Sequence, residues 1–247
     1  MCFSIVTTSS ADKLSQGLGI YSHLPAYRDL NLLNKKLKSI DKKTLQVDLG
    51  IESEKVNPHN FFKAPEAVGF DKKIFSHTFS DVLVAHAGRV SFMPMRYRLR
   101  PSNSTSEIPS KYNTFNARIE SLEERQTWSR LLGKKHGVVL LKSFYEWVED
   151  QSGKKRMIEF SPKETDFLIV PCLWDEWLSP SKQLYFRSFA IVTTEPTEFI
   201  LAHGHDRSPV FLEEEHMMDW LLVANHHPKE SVGLLNGIRP RLAAKII

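Results

Sequence analysis

After Gly133 the chain runs through four extended segments in succession, "HGVVLLKSFYEWVE", "KRMIEF", "FLIVPCLWDEW" and "LYFRSFAIVTT". Extended character also appears upstream, in "CFSIVTTSS", with Phe3 and Ile5 on one face, and in "DVLVAHAGRVSFMP". Helical periodicity is confined to shorter pieces. "LNLLNKKLKSI" sets Leu30, Leu33, Leu37 and Ile40 at three- and four-residue steps behind Asp29 as N-cap. "ESLEERQTWSRLL" reads as an amphipathic helix turning Leu122, Trp128 and Leu132 toward a core, and "EPTEFILAHG" and "EEEHMMDWLLV" as two more short helices. Strands that outnumber helices and lie scattered along the chain predict an α+β fold. The expectation is a single domain over 1–247 with a mostly antiparallel, barrel-like β core and flanking helices. Residues 48–80 look irregular, and "RPSNSTSEIPSKYNTFNAR" is a polar loop of a length that tends to carry function.

Composition excludes several classes. At 247 residues, with 41% hydrophobic and 25% charged, the chain affords a sizeable core and does not look disordered. A formal charge of +4 is compatible with an anionic partner without specifying one. Two cysteines, Cys2 and Cys172, make no disulfide framework, and no CxxC or Cys/His cluster suggests zinc. His203, His205 and His216 lack a carboxylate partner pattern, so neither a metal nor another cofactor is expected. No apolar run approaches the ~18 residues of a membrane span, and no basic segment leads into an apolar one as in a secretory signal. A reduced, cytoplasmic setting follows, without a membrane partner.

Four stretches could carry chemistry, each with a plain structural alternative. Cys2 directly follows Met1. Removal of Met1 would expose an α-amine (pKa ~7.7–8.0) beside a thiol (~8.5), an aminothiol suited to closing a ring on an aldehyde; otherwise Cys2 is a small hydrophobe starting a strand. Glu146, between Tyr145 and Trp147, is either the solvent side of an alternating strand or a carboxyl in an apolar pocket with a raised pKa. Asn116 and Arg118 share side-chain parity and present an amide and a guanidinium together, or form a loop-to-helix junction. His205 is an acid/base or a structural histidine, with Asp206 and Arg207 read as a surface ion pair.

Taken in order, Met1-Cys2, "NARIE" (Asn116 to Glu120), "FYEW" (Phe144 to Trp147) and "HDRSP" (His205 to Pro209) resemble the SRAP family, the SOS-response-associated peptidase-like proteins that crosslink to abasic DNA. "CLWDEW" and "FAIVTTEPT" are similar to two further family strands. Phe3 and Ser4 stand where the family has Gly-Arg, Ser143 replaces a glycine and Ser208 a methionine, and "RVSFMPMRYRLRP" occupies the place of a Trp-Gly-Leu segment. The resemblance implies abasic-site processing on single-stranded DNA. Cys2 would be the nucleophile, His205 a general acid/base, Glu146 the group that orients or deprotonates the amine, Asn116 a hydrogen-bonding anchor and Arg118 a phosphate contact. It implies a covalent thiazolidine, lyase cleavage as a side path and self-assisted removal of Met1. A monomer associated with the nucleoid when bound to DNA is expected. In "MRYRLR", strand parity puts Arg96, Arg98 and Arg100 on one face, read as a basic stripe along a phosphate backbone. The rival readings are a cysteine peptidase using Cys2 with His205, and a noncatalytic single-stranded DNA-binding module.

Overall fold

The computed structural model describes residues 4–7, 20–63, 73–86, 88–109, 111–149, 152–222 and 228–247. Within these the strands are β1 (Ser4–Thr7), β2 (Tyr21–Ser22), β3 (Lys73–Ile74), β4 (Phe79–His86), β5 (Arg89–Tyr97), β6 (Asn116–Arg118), β7 (His136–Glu149), β8 (Lys155–Pro162), β9 (Leu168–Leu178), β10 (Tyr185–Thr194), β11 (Ser208–Pro209) and β12 (Leu242–Ile246). The helices are α1 (Leu24–Ser39), α2 (Lys42–Leu49), α3 (Gln126–Ser129), α4 (Glu198–Ala202), α5 (Glu214–Leu222) and α6 (Pro228–Gly233).

Five strands close a barrel in the order β4, β5, β10, β9, β7 and back to β4. Every contact in that circuit is antiparallel except β5 with β10, where Arg96 and Tyr97 stand beside Ser188 and Phe189 in parallel. The fold is thus α+β with a mostly antiparallel barrel, as the scattered strands predict. "HGVVLL" shows why the barrel needs flanking cover. Val139 and Leu141 pack with Met95, Val170 and Phe189, while Val138 and Leu140 face the opposite way and pack with Trp128, Leu132 and Trp220. A strand apolar on both faces is stable only when both are covered. A third cluster seats Leu30, Leu33 and Leu37 of α1 and Leu45 and Leu49 of α2 against Phe79, Trp177 and Phe186.

The length of β7 positions the site. From His136 to Leu141 it pairs with β9 inside the barrel; from Phe144 to Glu149 it pairs with β8. β1 takes the other edge of this extension, Ser4 opposite Tyr145 and Ile5 opposite Phe144.

Two helix readings are corrected. α1 begins at Leu24, with His23 as the cap whose Nδ1 accepts from the Ala26 N–H at 3.2 Å and Pro25 in the first turn. Asp29 lies inside it and pairs with Arg187 at 3.0 Å. "ESLEERQTWSRLL" is a 3-10 turn (Ile119–Ser121), a second turn and the four-residue α3. Leu122, Trp128 and Leu132 are all buried as expected. At ~100° per residue, one straight helix would point Leu122 well away from the other two; breaking it into turns lets all three face inward.

Candidate active site

Glu146 lies on the β7 extension among apolar neighbours. Phe144 and Val148 share its parity, Ile158 is its partner on β8, and these three belong with Phe160 to one core cluster. Glu146 is 1% exposed. Removal from water favours the neutral acid, and burial pushes its pKa up from 4.5 to about 8. The reading of Glu146 as a solvent-facing strand residue is therefore set aside.

His205 reaches this carboxyl from the other side. α4 is capped at its start by the Thr197 hydroxyl, and its end closes with the Gly204 N–H on the Leu201 carbonyl at 2.9 Å. Gly204 has φ +89, the left-handed conformation that glycine adopts without a Cβ penalty, and it sends the chain back toward β7. His205 Nε2 then stands 3.2 Å from Glu146 Oε2. Its Nδ1 lies 2.9 Å from the Arg207 carbonyl oxygen and 3.2 Å from the Arg207 N–H. With the proton on Nδ1 donated to that carbonyl, Nε2 presents a lone pair to the carboxyl. Burial lowers the His205 pKa, and the Arg207 backbone opposes the shift. Near neutrality the proton between Glu146 and Nε2 therefore rests on Glu146, with the neutral imidazole beside it as acceptor. The two titrate as a unit.

Asn116 sits in β6, which joins β10 in parallel with Asn116 against Ile191. It is 4% exposed, and neither its amide oxygen nor its nitrogen has a hydrogen-bond partner among the described residues. An unsatisfied buried amide costs about 1–3 kcal/mol. Arg118, at the far end of β6, is exposed.

The segment carrying Asn116 and the one carrying His205 are locked together by a pair that sequence reading missed. Arg207 donates to both carboxylate oxygens of Glu120, at 2.8 and 3.0 Å, and to the Thr193 carbonyl at 3.1 Å. That hydrogen bonding holds Glu120 below the usual carboxylate range. Arg207 thus ties "HDRSP" to "NARIE" rather than pairing with Asp206. Both residues stood inside the quoted motifs, but 87 residues separate them in the chain.

The basic stripe is corrected. Arg96 and Arg100 are 0% exposed and Arg98 4%. Arg96 grips both oxygens of Glu107 at 3.0 and 3.1 Å, and Arg100 reaches the same carboxylate at 3.2 Å while lying 3.5 Å over the Trp177 ring. Arg98 has φ +89, which breaks strand alternation, and it donates to the Ile108 carbonyl at 2.7 Å. Burial alone would raise Glu107, but Arg96 and Arg100 hold it down at about 2. Parity correctly grouped Arg96 and Arg100, yet their face turns inward, so these guanidiniums anchor the 101–115 loop and do not meet a phosphate backbone. Cys2 lies outside the described residues.

A family profile described as SOS response associated peptidase (SRAP) matches residues 1–245. The chain belongs to the SRAP family. Among relatives of this SRAP chain, the abasic site processing protein YoaM of Bacillus subtilis (strain 168) is 32% identical over 124 residues, 50% of this chain and 54% of YoaM. The abasic site processing protein HMCES of Rattus norvegicus is 28% identical over 174 residues, 59% of this chain and 49% of that one. The chain spans about half the length of these relatives. A crystal structure of a protein from Bacteroides thetaiotaomicron superposes with a TM-score of 0.67 at 18% identity, covering 100% of this chain and 92% of the other. One from Bordetella bronchiseptica gives 0.60 at 18% identity, covering 76% and 93%. These two likenesses establish the shared fold.

Proposed function

We propose that this SRAP protein captures abasic sites in single-stranded DNA as a covalent thiazolidine on Cys2. The observation that carries the reading is the buried Glu146–His205 pair at 3.2 Å, a proton donor and a proton acceptor set against the apolar core. The names of the relatives, abasic site processing proteins, agree with it. Ser4 pairs with Tyr145, next to Glu146, and the two residues of chain from Ser4 to Cys2 span at most ~7 Å.

The closed abasic sugar opens when its C1′ hydroxyl gives up a proton and its ring oxygen receives one. The Glu146–His205 pair, holding one mobile proton, serves both transfers. The neutral Cys2 amine adds to the C1′ aldehyde, and the carbinolamine loses water with a proton delivered to its hydroxyl. The Cys2 thiolate then adds to the imine carbon, and the imine nitrogen takes up a proton. The net reaction joins protein and DNA and releases one water, and no cofactor takes part. Asn116 hydrogen-bonds the sugar with its otherwise unpartnered amide, and Arg118 holds a neighbouring phosphate. Holding amine and aldehyde side by side supplies much of the acceleration. The α-amine reacts only after Met1 is gone, and peptide cleavage at that bond is the one peptidase step this reading includes. If the imine instead loses the proton α to its carbon, the 3′ phosphate leaves by β-elimination, which is the lyase side path.

The test is intact-mass analysis of the protein alone and after mixing with an oligonucleotide carrying one abasic site. The expected result is a protein lacking Met1 and a stable one-to-one adduct that disappears with Cys2→Ala. An adduct that persists in Cys2→Ala, or no adduct from protein lacking Met1, overturns the reading.

A further inference from the structure

Among the described residues β12 pairs with β8 alone, antiparallel, with Leu242 opposite Pro162 and Ile246 opposite Ile158. The Lys163 N–H donates to the Arg241 carbonyl and the Ile247 N–H to the Met157 carbonyl, both at 2.9 Å. Opposed residues of an antiparallel pair exchange bonds at alternate positions. The odd-numbered residues of β12 therefore bond β8, and the N–H and C=O groups of Leu242, Ala244 and Ile246 point away from the sheet. None of these three N–H groups donates elsewhere among the described residues. Such an edge is a template for another strand.

A hollow opens at each end of the edge, and α4 borders both. One, of about 640 Å³, lies beside Leu242 and Phe199. The other, of about 750 Å³, lies beside Ala244 and Ile246 and is lined by Val148 and Ile158. Both are positively charged on balance: Lys163, Arg239 and Arg241 against Glu198 in the first, Arg156 and Lys245 against Glu149 in the second. Arg241 also pairs with Glu164 at 3.0 Å, but both side chains are largely exposed and the pair is worth little. A second copy of the chain fits this edge poorly. Two β12 strands paired antiparallel about Ala244 would set Lys245 of each diagonal to Lys245 and Arg241 of the other. Diagonal neighbours are within reach of long side chains, so these like charges repel.

We infer that β12 takes up an extended acidic peptide of a partner protein as an added antiparallel strand. Antiparallel pairing continues the order of β7, β8 and β12. Alternate apolar side chains of the peptide share the face of Ala244 and Ile246 and enter the two hollows. The intervening carboxylates lie on the opposite face, with Arg241 and Lys245. Backbone bonds supply the affinity, and the hollows and cations select the sequence.

The probe is an end-capped, fluorescein-labelled peptide alternating glutamate with valine, and its anisotropy is followed as the full chain is added. In the added strand the valine N–H groups face β12, because directly opposed residues share a face and those opposite Leu242, Ala244 and Ile246 exchange both bonds with them. Saturable binding is expected for the plain peptide and for one N-methylated at the glutamates. N-methylation at the valines is expected to abolish it. Arg241→Glu/Lys245→Glu is expected to weaken binding about tenfold. Ala244→Pro, which deletes an outward N–H and no bond to β8, is expected to weaken it as well. The control is Lys35→Glu/Lys38→Glu on α1, with the same change in net charge and unaltered binding. No binding of the plain peptide, equal binding of the two N-methylated peptides, or an equal loss in the control overturns the inference. A dimer in sedimentation equilibrium that Ala244→Pro dissociates also overturns it, and assigns the edge to a second copy.

Discussion

Glu146→Gln keeps the shape of the side chain and removes its ionisation. In the native protein the carboxyl is half ionised only at about 8, whereas in an unfolded chain it ionises near 4.5. Between those values the native state retains a proton that the unfolded state has released, so wild-type stability falls as pH rises through the window. The penalty is absent below 4.5 and complete above about 8. At ~1.4 kcal/mol per pH unit, the roughly 2.5 units from 4.5 to pH 7 set a ceiling of about 3 kcal/mol. Urea denaturation followed by tryptophan fluorescence at several pH values between 5 and 8 reads this directly. Glu146→Gln is expected to be the more stable protein at pH 7, by about 1–3 kcal/mol, with a gap that closes toward pH 5 and widens toward pH 8. The same variant is expected to lose abasic-site capture. A gap independent of pH, or a variant less stable throughout, would refute the argument that the apolar core holds a proton on Glu146.

Glu107→Gln leaves Arg96 and Arg100 buried without a carboxylate, and removing one partner from a buried ion pair costs about 3–5 kcal/mol; urea midpoints measure it. Arg207→Ala cuts the tie between Glu120 and the His205 loop. Glu120 is about half exposed, so the ion pair itself contributes at most ~1 kcal/mol to stability. The capture rate at saturating abasic DNA is nevertheless expected to drop at least tenfold, and Arg207→Lys, which cannot bridge both oxygens, to restore it only in part.

How much of this was legible in the chain depends on the range of each interaction. "HGVVLL", "FLIVPC" and "SFAIV" declare themselves as strands because both faces are apolar, and they became β7, β9 and β10 of the barrel. Asn116, Glu146 and His205 stood out through the company of their immediate neighbours. The helix boundaries were less legible. Asp29 looked like a cap because nothing local reveals that His23 and Pro25 start α1 nearly two turns earlier.

By itself, the order of residues determined the strand-rich class and the family to which the motifs point; whether Glu146 faced solvent or an apolar pocket stayed open. Tertiary structure alone decided which side of each element is inside. It turned Arg96 and Arg100 inward onto Glu107 and brought Arg207 to Glu120 across 87 residues. It also set the His205 imidazole 3.2 Å from the Glu146 carboxyl. The physical reason is that periodicity fixes which side chains share a face, whereas burial and charge pairing depend on segments far apart in sequence. Those segments meet only when the barrel closes.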